Sequence, residues 1–443
     1  NIDVASAGGL IPFLRILHAQ QGATVTSNLP FENAISVVDS DVMKATLTIG
    51  DRPIKLFEFL EFLGKDNLQV FDAERASKFR KLTGSAFGQE ALETKYEDMQ
   101  NIGVEFIKRW EASLNSQNDI IRMQEQCLEF SLRVTAKALI SADTSQDLDF
   151  KKFQQSYDVV LSGTFDKQFG ILDDRREKEF QNSLDTYRAI LDKLINDRKN
   201  RNIEVENMHF KDFLDILVTE NDPKTERPFS DEMLRSLVGV YLTAGYHTTG
   251  VAIPFTLFAL TQNPEVKIKL QEEIDEMLQD RLPTLEDLSK MDYLTQVVKE
   301  ALRVHPPGSF CARLLKTRSA LPKSLENVKV QDENITLLYC IPLYHENPLY
   351  FANPKQFNPS RFSRENIKSI KPNTYCPFGF GARICPAERF AMVDIKMMIC
   401  MILQKFDIEL AMPIEEVKME ERFTVMAKND ILVKLKPRSS RNA

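Results

Sequence analysis

The amino-acid sequence predicts a mainly helical fold with small β-sheets. Three observations carry this expectation. Apolar residues between 72 and 288 recur mostly at helical spacing. Glycine is scarce, 16 of 443 residues, which disfavours a turn-rich β architecture. Strand-like runs are confined to the first sixty residues, to 308–345 and to the C-terminal end.

The elements follow in chain order. Residues 9–21 read as a short helix among strand-like pieces. Longer helices are expected at 93–114, 173–200 and 231–262, the last with Ser230 as an N-terminal cap. A helix over 293–304 stops at Pro306-Pro307, because proline lacks the donor a helix needs. Short strands and turns follow, including a strand over 334–338. Residues 346–386, rich in Pro, Asn and Phe, read as an ordered meander. An amphipathic helix over 387–406 precedes the last strands. No linker or internal repeat divides the chain, so residues 1–443 are expected to form a single domain.

The net charge of −7 argues against broad nucleic-acid binding. No apolar run reaches the roughly 18 residues that span a bilayer, and no signal peptide is present. The chain starts at Asn1 rather than Met, which reads as a fragment or processed form. The six cysteines, Cys127, Cys311, Cys340, Cys376, Cys385 and Cys400, form neither a CxxC pair nor a dense framework. A reducing compartment is expected, where a special cysteine owes its role to its surroundings.

Three segments carry candidate chemistry. In Phe378-Gly-Phe-Gly-Ala-Arg383-Ile-Cys385-Pro-Ala387, two glycines precede a cysteine at the start of a helix. Glycines let backbone approach a flat group closely. A thiolate at a helix N-terminus is stabilised by free N–H groups and is a soft metal ligand. Taken alone, Cys385 reads more plainly as a buried structural cysteine after a tight turn. Glu300 and Arg303 share a helix face and can pair, although a surface ion pair is the plainer reading. Arg361 in Pro359-Ser-Arg-Phe362 could close a network with them, or be a solvated loop arginine.

Together, and in this order, the segments resemble the cytochrome P-450 family. Its ExxR helix, PxRF meander and FxxGxRxC loop appear here as Glu300–Arg303, Pro359–Phe362 and Phe378–Cys385. Ala244-Gly-Tyr-His-Thr-Thr249 resembles the family's AGx(D/E)TT, and Arg80-Lys-Leu before Ala86-Phe87 resembles its C helix. The resemblance covers nearly the whole chain. The run Cys385-Pro-Ala-Glu-Arg-Phe-Ala is also similar to an animal orphan group, family twenty.

The resemblance implies a triangular helical prism around a buried haem b. Cys385 matches the thiolate ligand of the iron, which favours O–O cleavage. Arg80, Arg313 and Arg383 match residues that neutralise the haem propionates, and Phe378 matches the aromatic beside the thiolate. Glu300, Arg303 and Arg361 match the structural triad. Ala244, Gly245 and Thr248 match the kink where dioxygen binds, with Thr248 helping to deliver protons.

Three positions depart from the pattern. His247 stands where most members carry an acid; it can relay protons or merely pack. Ala387 replaces a glycine and adds one methyl against the porphyrin. Ala76 replaces a tryptophan that reaches a propionate, so that contact is missing or supplied elsewhere. The only tryptophan, Trp110, lies on a later helix and is expected to pack.

The implied activity is monooxygenation: one oxygen atom from O2 enters a lipophilic substrate. By analogy its cavity is lined from residues 56–63, from Val240, Tyr241, Ala244 and Thr248, from Ser309 and Phe310, and from 424–426. No flavin or nicotinamide domain fits in the chain, so electrons would come from an NADPH-cytochrome P-450 reductase-type donor. Lys78, Lys81, Arg389, Lys396 and Lys405 could form its basic docking patch. The family implies the cytosolic face of the endoplasmic reticulum membrane, through an N-terminal anchor outside this chain. The alternatives are a haem-thiolate isomerase or dehydratase of a peroxide, or a haem-binding protein without turnover.

Overall fold

The computed structural model describes residues 4–28, 33–64, 66–115, 119–142, 149–168, 172–200, 210–326, 328, 334–421 and 424–438. The chain is mainly helical, with small sheets at its periphery. One four-stranded sheet orders Thr24–Asn28, Asn33–Val37, Ile335–Cys340 and Phe310–Leu315. Its middle pair is parallel, with Ile35 opposite Leu337, so the N-terminal hairpin docks on a strand three hundred residues away. A second sheet joins Ile120–Arg122, Leu432–Pro437 and Phe406–Leu410. A two-stranded ribbon pairs Met419–Glu421 with Val425–Ala427.

The core is built on the central helix, Asp231–Gln262. The Ser230 hydroxyl accepts the Met233 N–H at 3.2 Å and fixes its start. The helix is apolar all round, as befits one surrounded by others, and most of its residues are buried. The helix Met123–Ile140 crosses it closely. Gly245 permits that approach: a Cβ there would meet Thr135 Cγ2 at 2.5 Å. Trp110 packs, 1% exposed, with its N–H toward the Gln126 side-chain oxygen at 3.3 Å.

The helix expected over 293–304 runs Asp292–Val304, and the last runs Glu388–Lys405 with Ala387 as its cap residue. Residues 54–63 form 3-10 turns; of the run 56–63 expected on the cavity wall, Leu60, Phe62 and Leu63 are buried in the helical core. Among the described residues, no helix is long and apolar enough to cross a membrane.

Candidate active site

The loop before the last helix is shaped by backbone hydrogen bonds. The Cys385 N–H donates to the Phe378 carbonyl at 2.9 Å, and the Gly379 N–H to the Cys376 carbonyl at 3.0 Å. Gly381 has a φ of +58°, and a Cβ there would lie 2.0 Å from the Leu47 carbonyl oxygen. Only glycine fits that turn. The next N–H, of Ala382, donates to the same Leu47 carbonyl at 2.8 Å. Ala387 has a φ of −101°, which any residue adopts, so its methyl brings no backbone strain.

The Glu300 carboxylate, fully buried, takes a fork of two hydrogen bonds from Arg303, at 2.8 and 2.9 Å. It also accepts the Asn358 N–H at 2.8 Å and Arg361 Nε at 3.2 Å. Arg361 reaches on to the carbonyls of Ala352 and Asn353, and Arg303 Nη1 to the His345 carbonyl at 2.9 Å. His345 carries the connection onward. Its Nδ1 lies 3.0 Å from the Arg303 carbonyl, and its Nε2 accepts the Cys376 N–H at 3.1 Å. Burial pushes His345 down to about 3, so the ring is neutral and can accept at Nε2 while donating at Nδ1. The meander and the cysteine loop are thereby tied together, a link the sequence reading missed. Its only sequence signal was a histidine just ahead of the meander.

Loop and central helix face each other across a cavity of about 310 Å³. Cys385, Phe378, Arg383 and Ala387 line it from the loop side; Val240, Tyr241, Ala244, Gly245 and Thr248 line it from the helix. The Thr248 hydroxyl donates to the Ala244 carbonyl at 2.8 Å, inside the helix. Phe310 lines the cavity; Ser309 and residues 424–426 do not. His247 is 2% exposed, does not line the cavity, and has Nδ1 2.6 Å from the Thr424 hydroxyl. Ala76 is buried and offers only a methyl.

Four guanidinium groups gather at one side. Arg80 Nη2 donates to the Ile384 carbonyl at 2.5 Å, and Arg383 donates to the carbonyls of Gly50, Leu68 and Phe71. Arg313 lies behind the wall, not on it, and donates to the Phe380 carbonyl at 2.6 Å. The fourth, Arg52, lines the cavity and was not singled out from the sequence, where it stands in no recognisable pattern. Among the described residues none of the four forms an ion pair, and the Nε atoms of Arg52 and Arg313 are buried without a hydrogen-bond partner. Burial and the neighbouring Arg383 push Arg52 down to about 9; burial, Arg313 and Arg80 push Arg383 down to about 10. Such a cluster suits an anionic group in the cavity.

Burial pushes the Cys385 thiol up, against the Ala387 N–H and Arg80. Ligation to a metal would supply the deprotonation that burial resists. Among the described residues no group of three His, Cys, Asp or Glu side chains could hold a metal ion. A metal that brings its own in-plane donors and its own carboxylates, as haem does, fits one cysteine facing unpaired arginines. Asp394, 4% exposed with Oδ1 unpartnered, also lines the cavity, and burial pushes it up to about 8. Of the proposed basic patch, Lys78, Lys81, Arg389 and Lys405 are exposed. Lys396 is buried, donates to the Leu288 carbonyl, and is pushed down by burial to about 8, so it cannot belong to an exposed patch.

Residues 6–435 match the family model described as Cytochrome P450. Similar curated proteins include Cytochrome P450 3A41 of Mus musculus, 31% identical over 56% of this chain and 49% of the relative. Cytochrome P450 4V2 of Homo sapiens is 35% identical over 52% of this chain and 43% of the relative. The chain thus spans about half the length of the curated relatives it matches. The crystal structure of a cytochrome P450DA mutant heme domain superposes with a TM-score of 0.82 at 20% identity, over 99% of this chain and 94% of that one.

Proposed function

The chain belongs to the cytochrome P450 family, and on that premise we propose that it is a haem-thiolate monooxygenase acting on a lipophilic substrate. The observation that carries the reading is that Cys385 and Thr248 face one cavity from opposite elements, with unpaired arginines at its side. Haem, when bound, supplies the redox centre at which one atom of dioxygen enters the substrate and the other leaves as water.

The chain's own residues divide the remaining work. Cys385 would hold the iron, with Phe378 and Ala387 lining the cavity on the same side. Arg52, Arg80 and Arg383 would neutralise the propionates from the cavity wall, and Arg313 would add charge from behind. Glu300, Arg303 and Arg361 keep the ligand loop in place. Ala244 and Gly245 leave room for dioxygen on the facing side. Thr248 holds a hydroxyl proton there, ready to leave the Ala244 carbonyl. His247 lies off the cavity wall, with Nδ1 against the Thr424 hydroxyl. Leu68, Val240, Tyr241 and Phe310 make the substrate wall apolar.

Each turnover needs two electrons, which a reductase of the NADPH-dependent flavin type would supply, and two protons drawn from solvent. Exposed Lys78, Lys81, Arg389 and Lys405 would meet its acidic surface. The setting we propose is the cytosolic face of the endoplasmic reticulum, by resemblance to family members of this type. The test is the carbon-monoxide difference spectrum of the reduced protein. The red-shifted Soret band of thiolate-ligated haem is expected; a band typical of a non-thiolate ligand, or none, overturns the reading.

A further inference from the structure

Tyr241 sits on the central helix three residues before Ala244, 7% exposed, with its side chain on the cavity wall. Its ring is fixed: it stacks on Phe87 at 5.5 Å and packs against Phe213 at 4.3 Å and Phe79 at 6.5 Å. Its hydroxyl is buried and makes no hydrogen bond of good geometry. The Thr83 hydroxyl acts on the phenol from nearby and itself donates to the Phe79 carbonyl at 3.0 Å. A buried hydroxyl without a partner is costly, so such a group points to a ligand that completes it.

The surroundings say what kind of ligand. Arg80, Cys385 and Arg383 are the charged or titratable neighbours that act on the phenol. Two of the three are the guanidiniums on the cavity wall. Burial keeps the phenol well above its ordinary range, so at neutral pH it is a donor and never an anion. Ala76, one turn before Arg80 on the helix Ala73–Leu82, has no donor to offer that wall.

We propose that the Tyr241 hydroxyl donates a hydrogen bond to a carboxylate of the bound haem, the one that Arg80 and Arg383 neutralise. This rests on the haem reading of the cavity. It gives Tyr241 a cofactor-binding role instead of a place in the substrate wall, and it completes a buried polar atom that the protein alone leaves unfilled.

The test is haem transfer from the holoprotein to excess apomyoglobin, with Tyr241→Phe beside the wild type. Phenylalanine keeps the ring against Phe87 and Phe213 and removes only the hydroxyl. Loss of one hydrogen bond to a charged group should speed haem release by about tenfold or more. Resonance Raman spectra of the two proteins give a second reading. The propionate-bending band should shift in deuterated water, and the shift should be smaller in Tyr241→Phe. Haem release within twofold of wild type, with an unchanged propionate band, overturns this assignment while leaving the cofactor reading intact. A wild type that takes up no haem overturns both.

Discussion

The Nδ1 atom of His247 lies 2.6 Å from the hydroxyl of Thr424, 177 residues further along the chain. The ring also packs between Tyr157 and Tyr246. His247→Ala should therefore lower stability by about 1–3 kcal/mol, because Thr424, 1% exposed, loses its partner. A double-mutant cycle with Thr424→Ala in urea should give a coupling of at least about 0.5 kcal/mol. The ratio of product to dioxygen consumed is expected to hold in His247→Ala. A marked fall would move the ring into the proton route.

Glu300→Ala should be far more damaging. It leaves Arg303, 1% exposed, as a buried charge with no carboxylate, and it releases Arg361 of the meander from the helix Asp292–Val304. Breaking a buried pair from one side costs about 3–5 kcal/mol. The urea midpoint of unfolding measures it. A loss below about 1 kcal/mol would mean that the network contributes little to holding the loop.

Gly245→Ala tests the crossing of the central helix with Met123–Ile140. The added methyl meets Thr135 Cγ2, and overpacking of this kind costs about 1–3 kcal/mol. Thr135→Ser deletes that methyl, so the double variant should recover much of the loss. Equal stability of the single and double variants would show that the helices shift apart instead.

Asp394 predicts a pH dependence whose sign is fixed by its burial. In the folded protein it keeps its proton up to about 8, whereas an exposed aspartate releases it near the usual carboxylate range. The folded state therefore loses stability, relative to Asp394→Asn, as pH rises through that interval. Denaturant midpoints of the two proteins should diverge from pH 5 to pH 8 in favour of Asp394→Asn. The divergence should be on the order of a few kcal/mol. A constant difference would mean that the carboxyl titrates normally.

Cys385→Ser should keep most of the fold, since the loop is held by its backbone, Arg383 and His345. The reduced carbon-monoxide spectrum should lose the thiolate-type band. Its survival would assign the ligand to another residue, with Cys311 the first candidate, because it also lines the cavity.

Local patterns carried much of this protein in its sequence. Ser230 marked the start of the central helix, and Pro306-Pro307 marked the end of Asp292–Val304. The i,i+3 spacing gave the Glu300–Arg303 pair. Arg361 meets Glu300 across 61 residues, a contact that neither segment specifies alone and that the family resemblance led one to expect. What escaped was also long-range. Arg52 belongs to no pattern, and its place on the cavity wall follows only from tertiary packing. Leu60, Phe62 and Leu63, placed on the cavity wall by analogy, are core in the fold. Lys396 reads as one more surface lysine until the neighbouring helix covers it.

The turn at Gly381 carries a consequence for biosynthesis. Ala382 hangs on the carbonyl of Leu47, and Arg383 on those of Gly50, Leu68 and Phe71. The loop that presents Cys385 is therefore shaped by residues made more than three hundred positions earlier. Helices can form as the chain leaves the ribosome, but this pocket cannot close until the loop around Cys385 has itself been made. A chain truncated before the loop would have no partial site with which to begin cofactor capture.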